Sequence, residues 1–368
     1  MQQDIIIIGA GIIGLATAER LLIQGAKVTI LERDKAGKEA SWAGGGILSP
    51  LFPWDYSDAV ARLASYSARQ FPAWVSVLQQ TSGIDPEYEI SGMLILPPFD
   101  GETARLWCSK QEINMEQHSA CNIHSANNNI EVHVQRSQDN ALFLPDIAQI
   151  RNPRLLRALR SRVELLGGKI IENCAVNHFK IAHQHIQAVD SSCGEYAADY
   201  YIVCAGAWSK EILGIHALGL NIRPVKGQML LFKFDMPPVR SIIVQNDIYL
   251  IPRRDGHLLI GSTLEDTGFD KQTTVAVRDY LLQRAQAIFP TLKGMPLKQQ
   301  WSGLRPASPE NIPTIGRHPD IRNLLINSGH FRYGVTMAPA SAEMLVNEIT
   351  GASQPFGTTP YQAGWSKH

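Results

Sequence analysis

Cysteine is scarce in this 368-residue chain. It has five, Cys108, Cys121, Cys174, Cys193 and Cys204, an odd number with no CxxC pair. That count and spacing argue against a disulfide framework and against a cysteine-rich zinc site. Reduced thiols and a cytoplasmic location are the expectation. Surplus charge is missing too, with 34 basic side chains against 34 acidic ones. Nucleic acids and anionic membranes are bound mainly through excess Lys and Arg, so neither is an expected partner. Long apolar runs are also lacking. The run from Ile5 to Ala18 is about 14 residues, short of the roughly 20 that span a bilayer. Asp4 stands where a signal peptide would be basic. Disorder is excluded by the opposite balance, 45% hydrophobic against 18% charged residues. At roughly 150 residues per domain, the length suggests two domains.

What is present begins at once. Asp4 to Ile8 is a β-branched run that reads as a parallel strand buried on both faces. Gly9-Ala10-Gly11-Ile12-Ile13-Gly14 follows, then a helical pattern closed by Gly25, then a second strand from Lys27 to Leu31 that ends in Glu32. This is strand, GxGxxG, helix, strand and acid in about 30 residues, the context that turns a weak glycine motif into a dinucleotide-binding fingerprint. Gly9 permits the tight turn, Gly11 lets a pyrophosphate approach the backbone, and Gly14 lets the helix pack on the sheet. The helix N-terminus offers N–H groups and partial positive charge to phosphate. Glu32 accepts from ribose hydroxyls and repels a 2′-phosphate, which disfavours NADP. The motif leaves NAD and FAD both open.

The next segment separates them by resemblance. Residues 39–46, Glu-Ala-Ser-Trp-Ala-Gly-Gly-Gly, resemble the second flavin-contacting segment of the D-amino-acid oxidase superfamily of FAD enzymes. The stretch SWAGGGILSPLFPW is similar to the glycine oxidase (ThiO) family, and the likeness runs through the whole chain. It implies that Ser41 bonds a phosphate oxygen and that Gly44, Gly45 and Gly46 approach the flavin. It also sets Ile13 and Arg33 at the cofactor, Val176 at the adenine side and Gly206 near the pyrophosphate. The cofactor it implies is non-covalent FAD. Trp42 occupies the position where some relatives attach flavin through a His, and no Cys lies between Pro306 and Arg317.

The resulting fold class is α/β with an α+β substrate domain. A Rossmann-like FAD-binding domain with a parallel sheet (1–83, 143–222 and 301–368) is interleaved with a smaller antiparallel-sheet substrate domain (84–142 and 223–300). Helices are expected from Asn152 to about Leu166, from Val275 to Phe289 and from Val335 to Ile349. Alternating apolar residues in 228–234, 249–252 and 258–261 predict antiparallel strands. The polar stretch 124–140 predicts loops or short edge strands. Pro339 fits its helix only in the first turn or at a kink.

The resemblance assigns Arg305, in Trp-Ser-Gly-Leu-Arg-Pro, to a two-point salt bridge with the substrate carboxylate. A planar, permanently charged fork suits that task. Tyr249 is set against the same carboxylate. In Gly329-His330-Phe331-Arg332-Tyr333-Gly334, Arg332 adds positive charge near substrate and flavin. The helix N-terminus at Gly334, Val335 and Thr336 faces the flavin edge that becomes negative on reduction. His330 reads alone as an ordinary hydrogen-bonded loop histidine, and the resemblance places it among the cofactor residues. No residue is assigned as acid or base, and no metal cluster stands out.

The implied reaction passes a hydride from the α-carbon of glycine, sarcosine or a small D-amino acid to flavin N5. An imine, then an oxo acid and ammonia, result, and dioxygen becomes hydrogen peroxide. Thiamin thiazole synthesis, a thiazole synthase partner and a homotetramer come with the resemblance. Other readings are a D-amino-acid dehydrogenase, a sarcosine oxidase-like enzyme, and the flavin domain of a tRNA wobble-uridine modifying protein. Asp247, two residues before Tyr249, is open to two readings: a partner for a cationic substrate, or a solvent-facing carboxylate.

Overall fold

A computed structural model describes residues 2–118 and 141–365; the stretch 124–140 lies outside them. The β-branched first strand, Asp4–Ile8, lies inside a six-stranded sheet. It pairs in parallel with Lys27–Leu31 on one side and Tyr200–Val203 on the other. Lys169–Ile171 and Leu324–Ser328 extend the sheet in parallel, and Thr314–Arg317 closes one edge antiparallel. The Ile run is apolar throughout because both faces are covered. Ile5 and Ile7 face the helices Ile12–Ile23, Asp58–Ser82, Asn152–Leu165 and Gly334–Thr350. Ile6 and Ile8 face the three-stranded antiparallel sheet of Val176–Ala182, His185–Ser191 and Gly194–Tyr196.

The other large sheet has eight strands, in the order Gln299–Ala307, Arg223–Lys233, His257–Gly261, Ile248–Pro252, Ile242–Gln245, Met93–Ile95, Ala141–Leu144, Glu116–His118. All neighbours are antiparallel except Ile242–Gln245 with Met93–Ile95. Helix Val275–Ile288 packs its Leu281, Ala285 and Ile288 against it. Two divisions differ from the expected 143 and 301 boundaries. Ala141–Leu144 and Gln299–Ala307 both hydrogen-bond into the eight-stranded sheet. Residues 301–307 therefore lie beside Arg223–Lys233, because a ladder along a strand's length decides its sheet. Arg305 thus rises from the eight-stranded sheet.

Helix Asp58–Ser82 was not anticipated. Pro339 sits beyond the first turn of Gly334–Thr350, where the hydroxyl of Ser67 accepts the N–H of Ala340 at 3.2 Å. Among the described residues no helix is long and apolar enough to cross a membrane, and no three His, Cys, Asp or Glu side chains could hold a metal.

Candidate active site

A cavity of about 520 Å³ opens at the carboxyl ends of the parallel strands and reaches the eight-stranded sheet. That is the place where open α/β sheets bind ligands. Every cofactor and substrate residue expected from the sequence lines it except Gly14. Gly14 acts one layer behind, since a Cβ there would fall 2.0 Å from the carbonyl oxygen of Gly9. Gly9 itself has φ +106°, a conformation that side chains rarely adopt.

At the phosphate end, the first turn of Ile12–Ile23 has no intrahelical partner for its N–H groups. Ser41 Oγ accepts from Ile12 N–H at 3.0 Å, which sets its hydroxyl at the helix end. Glu32 accepts from Ala10 N–H at 2.7 Å and from Asp34 N–H at 3.0 Å. A carboxylate has about four lone-pair sites, so capacity for two ribose hydroxyls remains. The Arg33 guanidinium lies 4.1 Å over the Trp208 ring, and Trp208 stacks on Phe269. Val176 and Gly206 line the same end. These features fit FAD: a phosphate cradle, an acid for ribose, and a broad aromatic and apolar wall.

The glycine loop is gripped from outside. Asn152 donates its amide to the carbonyls of Ser41 (2.9 Å) and Gly44 (3.0 Å). Arg253 donates to the carbonyl of Gly45, and Thr336 to that of Ile47 at 3.1 Å. Asn152 opens its helix beside Pro153, and that role hid its grip on the loop in the sequence.

At the far end stand Arg305 and Tyr249. Arg305 donates to the carbonyl of Thr263 at 3.0 Å and to Ser262 Oγ at 2.8 Å. Burial lowers its pKa, opposed by nearby Tyr249 and aided by Arg332. Its residue is only half-buried by area, because the fork opens on the cavity. Tyr249 is buried, and its hydroxyl meets Met229 sulfur at 3.3 Å. Sulfur is a weak acceptor, so the hydroxyl is available to a better one. Ser262 and Thr263 were missed in the sequence, since a contact 42–43 residues away leaves no local signal.

His330 is buried and bonds Ser341 Oγ through Nε2 at 2.8 Å. Burial pushes its pKa down to about 3, so the ring is neutral. Its side-chain bond is the ordinary one read from the sequence, and it also lines the cavity. Arg332 lies over the Phe331 ring at 5.6 Å. Tyr333 and Tyr56 share a hydroxyl contact, and burial holds the Tyr333 phenol well above its usual range. Asp247, at the cavity edge, accepts from Tyr280 Oη at 3.0 Å and pairs with Arg284 at 3.5 Å.

The FAD-dependent oxidoreductase family DAO matches residues 4–348. The glycine oxidase of Pseudomonas aeruginosa is 38% identical over 362 residues, with 98% of each chain covered. The bifunctional protein ThiO/ThiG of Trichormus variabilis is 32% identical over 95% of this chain, which spans 53% of that longer protein. Among solved structures, glycine oxidase from Geobacillus kaustophilus has the same fold. Its TM-score is 0.92 at 24% identity, with 100% of this chain and 99% of the other covered.

Proposed function

The chain belongs to the DAO family of FAD-dependent oxidoreductases, and within it to the glycine oxidases, and from this premise we propose that it oxidises glycine, sarcosine and small D-amino acids with dioxygen. One observation carries the reading: the Arg305–Tyr249 pair stands at one end of a cavity whose other end is a dinucleotide cradle. A flavoprotein with no small carboxylate substrate has no need of that pair.

FAD, when bound, supplies the acceptor for the hydride leaving the substrate's α-carbon. The chain's own work is placement. Thr263 and Ser262 hold the Arg305 fork, which takes the substrate carboxylate at two points. Tyr249 turns its hydroxyl from sulfur to the same carboxylate. Arg332 adds positive charge, and the N-terminus of Gly334–Thr350 does so at the cavity wall. Apolar lining keeps water away, and binding in near-attack geometry removes much of the barrier. No side chain is needed as acid or base: the amine enters neutral, and water later hydrolyses the imine to oxo acid and ammonia. Hydrogen peroxide is the other product.

Asp247 already has Tyr280 and Arg284 as partners, which weighs against a preference for cationic substrates. The six-stranded sheet is the cofactor half in this reading and the eight-stranded sheet the substrate half. A thiazole synthase taking the imine is supported by the fused ThiO/ThiG relative. A cytoplasmic homotetramer with non-covalent FAD rests on the family resemblance and on the free thiols of Cys108, Cys174, Cys193 and Cys204. Light scattering tests the assembly.

The test of the reaction is an anaerobic absorbance titration of the yellow protein with glycine, sarcosine, D-alanine and D-proline, followed by air. Bleaching by glycine, then recovery with stoichiometric peroxide, is the expected result. Bound flavin that no small amino acid bleaches would refute it.

A further inference from the structure

A strand shows alternate side chains on one face. Along Ile248–Pro252 and the residue after it, Tyr249, Ile251 and Arg253 share a face, and all three meet Gly45. A Cβ on Gly45 would fall 2.5 Å from Ile251 Cδ1 and 3.3 Å from Tyr249 Cε2. Arg253 Nη2 donates to the Gly45 carbonyl, and Nη1 to Gln149 Oε1 at 2.8 Å. Arg253 is only 4% exposed. No carboxylate among the described residues lies within ion-pair distance of it, and its Nε is buried without a partner. Burial, then repulsion from Arg151, pulls its pKa to about 10 against the longer-range attraction of Glu87, Asp255 and Glu89, so it stays charged at neutral pH.

A buried cation whose carboxylate neighbours Glu87, Asp255 and Glu89 all stand beyond contact distance is costly. A role confined to packing would be met by a neutral side chain of the same length. What the charge does here is draw a carbonyl of the flavin loop. Because the peptide is planar and trans, fixing the Gly45 carbonyl also fixes the direction of the Gly46 N–H. The same strand carries the substrate tyrosine four residues earlier.

We propose that Arg253 is a positioning residue that locks the Gly44–Gly46 loop to the Tyr249 strand, and so sets the gap between the substrate's α-carbon and the flavin. The assignment rests on the flavin-oxidase reading above. It makes the two sheets one measuring device: the strand that reads the carboxylate also places the flavin loop. Neither Tyr249 nor Arg305 is altered by changing Arg253, so binding and chemistry separate.

Arg253→Met keeps an unbranched apolar stem and removes charge and donors; Arg253→Lys keeps the charge and one donor group. The holoproteins are compared by flavin absorbance spectrum, by FAD dissociation constant, by spectral titration with acetate (a carboxylate with no amine to oxidise), and by the anaerobic rate of reduction with glycine. A displacement near 1 Å can cost about 100-fold in rate. The expected result is a shifted flavin spectrum and a reduction rate at least tenfold lower in Arg253→Met. Acetate binding stays within about twofold, and Arg253→Lys recovers part of the rate. An unchanged spectrum and rate in Arg253→Met overturn the proposal.

If Arg253→Met does not fold, Gly45→Ala strains the same seam between the loop and the Tyr249 strand at Ile251. Its slow reduction should be relieved by adding Ile251→Ala, which clears the 2.5 Å approach. Failure of that relief also overturns the coupling. A wild type that glycine does not bleach would remove the oxidase reading, while the spectra and FAD affinities of the variants would still decide whether Arg253 positions the flavin.

Discussion

Gly227→Ala should displace the substrate clamp and leave the fold standing. Gly227 lies on Arg223–Lys233, opposite Gly303. A Cβ there would stand 2.1 Å from Arg305 Nη1, 2.2 Å from Nη2 and 2.4 Å from Cζ. Such atoms rest roughly 3.5 Å apart, so the guanidinium must retreat by about 1.4 Å. The atoms in the way are the far end of a flexible side chain, and the backbone of the ladder need not move. The retreat takes the fork from Thr263 and Ser262 and spoils its two-point fit to a carboxylate. One hydrogen bond to a charged group is worth about 1.5–3 kcal/mol, which is about 10- to 150-fold in affinity. The KM for glycine should rise by that factor, with flavin retained. Peroxide formation against glycine concentration measures it, and thermal unfolding of the holoprotein guards the interpretation. An unchanged KM in folded, yellow protein refutes the reasoning. A melting temperature lowered by more than about 10 °C would show that the sheet, not the side chain, gave way.

Arg305→Ala removes the fork altogether, and kcat/KM for glycine should fall at least tenfold at about 1.5–3 kcal/mol per lost charged bond; unaltered glycine kinetics with FAD bound would sink the assignment. Gly14→Ala drives a Cβ to 2.0 Å from backbone oxygen, so soluble protein should lose most of its flavin, which fluorescence of the released cofactor reads directly. His330 is neutral in the fold, with its pKa near 3, whereas an unfolded histidine protonates near about 6.5. Its contribution is therefore present above about pH 6.5 and is lost as pH falls towards 3, at about 1.4 kcal/mol per unit. Between pH 6.5 and 5 the wild type should lose roughly 1.5–2 kcal/mol more than His330→Gln in urea unfolding, and parallel curves would contradict this.

The parts of the fold legible in the sequence are those with local causes. Asp4–Ile8, the glycine turn and Glu32 each announce themselves by residue type and offset. So does Asn152–Leu165, through Leu155, Leu156, Leu159 and Val163. Helix Asp58–Ser82 carries a comparable stripe in Val60, Leu63, Phe71, Val75 and Leu78. Pro72 lies inside it. The sheet of Gln299–Ala307 could not be read locally, since a strand's pattern says which face is buried but not which ladder it joins. The site divides the same way. The resemblance marked Arg305 and Tyr249 in short motifs. The groups that hold Arg305, Ser262 and Thr263, and those that hold the glycine loop, Asn152 and Arg253, act across 42 or more residues.

The strand order of the six-stranded sheet also has a consequence for biogenesis. Ile5 of the first strand pairs with Tyr200, and Asp4 bonds Asp199 across 195 residues. Translation at about 5–20 residues per second leaves roughly 10–40 s between the two. Leu324–Ser328, which borders Tyr200–Val203, comes later still. Throughout that interval a strand of four consecutive isoleucines has no parallel neighbour on that side. Non-local pairing of this kind folds slowly and leaves apolar edges open to aggregation. The flavin cradle, which takes in residues up to Thr336, is complete only when almost the whole chain has been made.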